Sequence, residues 1–535
     1  MSGLETSAAG VPQLAKLVTR RERIRLPIWC YALLASVGGT AYSFRQLYPT
    51  PESRAAFAAT VGTDPALDVL YGKPFDLTSL GGLTAWRMGV FGSLLLAIMS
   101  IVTVIRHTRA EEEAGRFELV GAGAVGRHAP LIAVLRTVLS TQLALGVLIG
   151  AILTVFGTGA SGAFLFGLAI AACGWFFAAV AAITAQLTDF GRSAGGLAFT
   201  VLGAAYLLRC FGAGTRAGWL SWLSPIGWTE QAQAFAGDRW WVLLLAIGGT
   251  AGLAAVAFRL AGARDLGGGI FPARPGPAAG SPRLSSAGAL GWRLHRGNLI
   301  GWGIGLLLFS AVLGAIADSI VELVGTSRQA NEIIQRMGGQ GSIVQAYLAS
   351  CMNILGLVVA FYAVQSTMRL RAEESSGRVE PLLATGTSRI RWAASHLAYP
   401  LAGSALLLAV SGAAAGLAHG GRSGDLGRQL AETLWAGLIQ LPAVWIAVGL
   451  TVAVYGYFPR AAGAVGWSFV GLCILLQELG PLLRLSQWVT DVSPFAAVPR
   501  APGVAIPAEP LLVMAAIGVV LTAAGLIGLR RRDIG

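Results

Sequence analysis

Long apolar runs alternate along this chain with short polar breaks, and the runs have the length, about 20 residues, that an α-helix needs to cross the hydrocarbon core of a bilayer. Six runs occupy the first half, at residues 26–44, 88–105, 131–156, 161–187, 195–212 and 240–260. Six more occupy the second, at 299–316, 346–368, 394–418, 431–457, 462–483 and 510–529. The pattern predicts an all-α membrane protein with twelve transmembrane helices, which puts both chain ends on one side of the membrane. Ahead of the first run, Val11, Leu14, Leu17, Val18 and Ile24 recur at roughly helical spacing between charged residues. That spacing fits an amphipathic helix along the inner membrane surface, with a solvated tail as the alternative. Between the two sets of six, residues 266–285 (LGGGIFPARPGPAAGSPRLS) are rich in Gly and Pro. They read as a flexible linker joining a first half, 1–265, to a second, 286–535.

The two halves are copies. Residues 109–127, RAEEEAGRFELVGAGAVGR, align without a gap on residues 371–389, RAEESSGRVEPLLATGTSR, and nine of nineteen positions are identical. These are Arg109/Arg371, Ala110/Ala372, Glu111/Glu373, Glu112/Glu374, Gly115/Gly377, Arg116/Arg378, Glu118/Glu380, Ala122/Ala384 and Arg127/Arg389. The repeat continues in Leu26 and Trp29 with Leu299 and Trp302, in DFGRSAG at Asp189 with YFPRAAG at Tyr457, in Ser224-Pro225 with Ser493-Pro494, and in RDLG at Arg264 with RDIG at Arg532. Two fused six-helix bundles of like orientation imply a pseudo-twofold axis along the membrane normal. The charged stretch lies between the second and third runs and its copy between the eighth and ninth. Arg109 with Glu113, and Glu112 with Arg116, stand four apart and support a short helix. A solvated turn would explain the polarity but not the retained order R-A-E-E-x-x-G-R-x-E, so a docking helix is the favoured reading.

Composition narrows the function. With 55% hydrophobic and 12% charged residues, the chain carries about half the charge of an ordinary soluble domain. The net charge of +13 is borne by arginine, since Lys16 and Lys73 are the only lysines. Neither sits in the GxxxxGK[ST] context that cradles a nucleotide phosphate, so an ATP-driven activity would need a second polypeptide. The arginines cluster at the ends of apolar runs, in TRRERIR, in the linker region (Arg259, Arg264, Arg274, Arg283, Arg293, Arg296) and in LRRRDIG. This positive-inside pattern predicts cytoplasmic N- and C-termini and argues against nucleic acid as the partner. Cys30, Cys173, Cys210, Cys351 and Cys473 fall inside apolar runs without paired spacing, and His107, His128, His295, His396 and His419 show no metal-ligand spacing. No disulfide framework, metal site or catalytic constellation is expected.

The doubled EE-GR-E segment, WRLHRGNLIGW, the FxRxAG turns and the Ser-Pro segments before each last run together resemble the ABC-2 type permeases. These are the membrane subunits of ATP-binding-cassette exporters, and the likeness is to the actinobacterial polyketide-antibiotic (tetronasin-type) and multidrug exporter permeases. The resemblance covers nearly the whole chain. It implies an exporter fold in which the doubled segment is a coupling helix seated in a groove of a separate ATPase. It further implies a homodimer of ATPase subunits that bind ATP and Mg, with no cofactor on this chain. Arg109, Glu111, Glu112, Gly115, Arg116 and Glu118, with Arg371, Glu373, Glu374, Gly377, Arg378 and Glu380, are then the coupling residues. Glu113 is replaced by Ser375 and Leu119 by Pro381, so the two surfaces need not be equivalent.

Ionisable groups inside spans are costly and invite a function. Arg209 and Glu478 occupy corresponding positions in the fifth and eleventh runs with opposite charge. In the fold this sequence resembles, those spans face each other across the pathway, so the pair is a candidate outer gate, with local pairing or snorkelling as the alternative. The reading that results is a bacterial plasma-membrane permease expelling hydrophobic or amphipathic drugs by alternating access. An ion-gradient-driven transporter would need intramembrane carboxylate relays, and a non-transporting scaffold or sensor would need no ATPase.

Overall fold

The computed structural model describes residues 9–61, 65–117, 123, 125–214, 218–265, 267–271, 279–284, 286–325, 343–479, 486–503 and 506–533. Among these residues the structure is helical, with one isolated parallel bridge between Thr188 and Phe271. The chain forms two compact units, residues 1–276 and 277–535.

The first unit opens with α1 (Val11–Arg21) and α2 (Arg25–Leu47), which meet at a bend of 66°. Gly10 starts α1 from the left-handed region at φ 86°, with a proline in the first turn and Arg20 and Arg21 in the last. The amphipathic expectation holds on one face: Val11 packs with Ala129 and Ala133, and Val18 with Leu131 and Val134. Leu17 and Ile24 remain exposed. The helices α3 (Leu80–His107), α4 (Arg109–Glu113), α5 (Ala129–Val155), α6 (Ala160–Leu187), α7 (Gly191–Gly214), α8 (Pro225–Gln231) and α9 (Val242–Ala263) follow. The buried centre is α6, against which α3, α5, α7 and α9 pack. It takes that place because it is lined with small residues that let backbones close in. A Cβ added at Gly146 of α5 would sit 2.7 Å from the carbonyl oxygen of Gly167 in α6.

Polar side chains serve this packing too. Gln142 donates to Ser100 Oγ at 2.6 Å, and the Trp175 indole donates to the Leu139 carbonyl at 3.1 Å. The Ser224-Pro225 segment folds back into the bundle, where Ser224 caps α8 and Pro225, Ile226, Gly227 and Thr229 are buried. Thr229 and Ser93 of α3 share a hydrogen bond of 3.0 Å.

The second unit contains α10 (Ala287–Gly325), α11 (Ile343–Thr367), α12 (Arg369–Ser375), α13 (Val379–Ala384), α14 (Arg389–Ser423), α15 (Leu426–Leu438), α16 (Leu441–Tyr457), α17 (Ala462–Leu479) and α18 (Ala508–Arg531). Here α11 is the most enclosed, touched by α10, α14, α15, α16 and α17, while α10 pairs with α14 and α16 with α18. The run at 431–457 is interrupted between α15 and α16, where Pro442 lies in the first turn of α16 and has no N–H to continue the ladder. Its counterpart α6 is unbroken. The scattered histidines are partly gathered by the fold: buried His295 Nε2 and His396 Nδ1 lie 3.1 Å apart, with Ser366 Oγ 3.0 Å from His295 Nδ1.

The described residues of the expected runs fall on helices, the run at 431–457 on two of them. Among the described residues ten helices are long and apolar enough to cross a membrane, and α1 with α2 makes up to eleven if the bent pair is one span. Within α17 the apolar helix Ala462–Gln477 is shorter than a full span, and residues 480–483 of that run lie outside the described residues. The chain is a multi-span helical membrane protein.

Candidate functional site

The doubled segment folds the same way in both units. In the first, α4 begins one residue after α3 and ends at Gly115, whose φ of 69° is left-handed and whose N–H donates to the Glu112 carbonyl at 2.9 Å. In the second, α12 is followed two residues on by Gly377, also at φ 69°, with its N–H 3.0 Å from the Glu374 carbonyl. Glycine adopts this conformation without strain, which accounts for its presence in both copies. Past the glycine the chain turns, and Arg116 reaches back to the Glu111 carboxylate at 2.7 and 3.0 Å. Arg378 stands likewise 3.6 Å from Glu373. The two arginine side chains stay 53% and 66% exposed. The hydrogen bonds that Arg116 donates to Glu111 hold its guanidinium above its ordinary pKa.

Other shared charges point inward, each toward its own unit. Glu112 accepts from Arg264 Nη2 at 2.6 Å and from Arg109, while Arg264 Nε donates to Gln186 Oε1 of α6 at 2.7 Å. Buried Arg109 also donates to the Thr188 carbonyl. In the second unit Glu374 accepts both terminal nitrogens of Arg532 at 2.6 Å each, and the Tyr455 hydroxyl of α16 as well. At Arg532 burial works against the charge, but the bonds to Glu374 outweigh it and raise the pKa. Arg371 donates to the Arg460 carbonyl at 3.0 Å, and Glu373 is buried with Arg369 at 3.2 Å. The last residue of each stretch repeats its bond too: Arg127 donates to the Arg264 carbonyl at 2.7 Å, and Arg389 to the Arg532 carbonyl at 2.6 Å.

Two features belong to the first unit. Glu111 also binds Arg21 of α1 at 2.7 Å, tying the amphipathic helix to the segment. A cleft of about 210 Å³ lies beside them, lined by Leu14, Leu17, Val18, Arg116, Phe117 and Val134. The substitution at Glu113 has a partner elsewhere. Glu113 accepts from the N–H of Gly191 at 2.9 Å, whereas at the positions matched in the repeat stand Ser375 and Pro459, a residue with no N–H to give. Glu118 lies outside the described residues, and its copy Glu380 is exposed on α13. Among the described residues no three His, Cys, Asp or Glu side chains gather as a metal site.

The candidate gate residue Arg209 finds its counter-charge within its own unit. Fully buried in α7, it donates from Nε to Glu230 of α8 and from Nη2 to the Asp68 carbonyl at 3.1 Å. Arg209 thus has a local ion-pair partner, as in the alternative weighed for it. Glu478 is on α17, and its side chain lies outside the described residues. Sequence reasoning assigned no role to Tyr455 or Glu230, weighed Gln186 between substrate contact and interhelical packing, and read Arg264 and Arg532 only as charges of the cytoplasmic side. For the two arginines a signal existed: RDLG and RDIG were part of the repeat, yet apart in sequence from the segment they bind.

Comparisons with known proteins point the same way. Residues 284–530 match a family model described as the C-terminal domain of the multidrug efflux system permease Rv1217c. Over 530 residues, 98% of this chain and 95% of the relative, the sequence is 42% identical to the multidrug efflux system permease protein Rv1217c of Mycobacterium tuberculosis (strain ATCC 25618 / H37Rv). Identity at that level over nearly the whole of both chains goes beyond a shared fold, and the chain belongs to the family of multidrug efflux system permeases.

Proposed function

We propose that this chain is the membrane subunit of an ATP-binding-cassette exporter that moves hydrophobic or amphipathic drugs, antibiotics of the polyketide (tetronasin) type among them, outward across a bacterial plasma membrane. It works by alternating access, with both termini cytoplasmic. A homodimer of a separate ATPase binds ATP and Mg, and one ATPase subunit docks on each copy of the doubled segment. The observation that carries this reading is the segment itself: two copies at equivalent positions, each turning through a left-handed glycine to present an exposed arginine, Arg116 or Arg378. Glu380 adds to the outward surface of the second copy. A chain without a Walker lysine needs such a handle, because the nucleotide-driven movement originates in another polypeptide.

The ion-gradient alternative calls for a carboxylate that exchanges protons within the spans. Glu230 is buried, but the Arg209 guanidinium holds it in an ion pair, which opposes that use. The test is co-purification with a P-loop ATPase and dye export by the complex. Arg116→Glu with Arg378→Glu should release the ATPase and abolish export; a double variant that binds and exports like the wild type refutes the docking role.

A further inference from the structure

The part of the doubled segment that faces inward does one thing in both units: it grips the C-terminal end of the last helix. Arg264 directly follows α9 and Arg532 directly follows α18. Each offers its guanidinium to the second glutamate of the segment, Glu112 or Glu374, at 2.6 Å, and its carbonyl to the arginine that closes the segment, Arg127 or Arg389, at 2.7 and 2.6 Å. The third partner is free to differ, Gln186 in one unit and Tyr455 in the other. What is held in common is a guanidinium bond to the carboxylate, single at Arg264 and forked at Arg532, plus the bond to the helix-end carbonyl. Such a link is short, charged and directional, and a guanidinium constrains angle as well as distance. Glu112, Arg264, Glu374 and Arg532 are all largely enclosed, so solvent does little to loosen them. A tilt of the segment therefore drags the end of the last helix with it.

We propose that the Glu112–Arg264 and Glu374–Arg532 pairs are positioning residues of the transport cycle, the links that pass movement of the coupling segment to the last helix of the same half. This rests on the segment being the ATPase docking element. The experiment uses the full chain with its ATPase, reconstituted in liposomes, and reads three quantities: ATPase retained, ATP hydrolysed, and ethidium transported. Arg532→Gln should retain the ATPase and hydrolyse ATP at the wild-type rate. Transport per ATP should fall about tenfold, the factor matching loss of one charge-assisted bond of roughly 1.4 kcal/mol. Arg532→Lys, which keeps the charge but loses the fork, should lie between. The swap Glu374→Arg with Arg532→Glu should restore coupling, a rescue that a general loss of stability does not give. Arg264→Gln should likewise retain the ATPase and lower transport per ATP. Wild-type coupling in the single variants, or a swap that binds ATPase without recovering coupling, overturns the link. Loss of the ATPase from Arg532→Gln also overturns it, since Glu374 would then belong to the docking surface. Failure of the wild-type chain to retain any ATPase would overturn the docking reading instead.

Discussion

The last helix of the second unit is held against α16 through a seam of glycines, and replacing Gly449 tests whether backbone contact sets that position. A Cβ at Gly449 would lie 2.7 Å from the Gly518 carbonyl oxygen and 3.0 Å from Leu521 Cβ. The oxygen is backbone and cannot rotate away, so Gly449→Ala must push α18 outward by roughly 0.7 Å to reach ordinary van der Waals distance. A radial gap of that size forfeits about a quarter to a half of each contact along the seam, and overpacking of this kind costs about 1–3 kcal/mol. Alanine's better helix propensity returns up to roughly 1 kcal/mol, leaving a net loss of up to about 2 kcal/mol when that return is complete. Gly471→Ala in α17 supplies the control, because an added Cβ there meets nothing within 4 Å. It takes the propensity gain without the clash. Both proteins would be heated in detergent and the surviving monodisperse fraction followed by fluorescence-detected size exclusion. Gly449→Ala should lose half its signal at a clearly lower temperature than wild type, and Gly471→Ala at the same or a higher one. Equal midpoints for the two variants would refute the seam. Gly525→Ala, whose Cβ would strike the Val452 backbone more closely still, should be the harsher change.

Two further predictions use the same heating series. Arg209→Gln or Glu230→Gln leaves one buried charge without its partner and should destabilise the protein by about 3–5 kcal/mol, while the double variant Arg209→Gln with Glu230→Gln should cost less than the sum of the singles; additive losses would mean the pair does not act as one. Glu113→Ser strips the acceptor from the Gly191 N–H and should cost about 1 kcal/mol, whereas Ser375→Glu should bring no gain because Pro459 has no hydrogen to donate. A stabilised Ser375→Glu protein would show that the two copies differ for another reason.

Much of the architecture was legible in the chain because the signals that carry it are local or periodic. Runs of apolar residues near the length of a bilayer crossing located the long helices, ten of which, or up to eleven with the bent pair, are long and apolar enough to span among the described residues. The ungapped register from Arg109 to Arg127 against Arg371 to Arg389 located the segment that the halves share. The spacing of Val11 and Val18 marked the buried face of the first helix. What stayed hidden depended on partners far apart in sequence. The retained glutamates were read as a surface kept for another protein, yet Glu112 and Glu374 turn inward to arginines more than a hundred residues away. Arg209 was weighed for a gate, and its charge is answered by Glu230 of its own unit. The retained RDLG and RDIG motifs carried no stated purpose until the fold brought their arginines to the glutamates.

The sequence by itself determined that this is a duplicated helical membrane protein with a doubled polar segment and no lysine in a GxxxxGK[ST] context, because hydrophobic length, repeat register and residue identity are properties of the string. Only the tertiary structure decided which face of that segment is turned out. Arg116 and Arg378 remain exposed past their glycines, while Glu112 and Glu374 close on the end of the last helix. A charge placed in a sequence says only that it needs a partner, and the choice between solvent, another protein and its own bundle is made by packing.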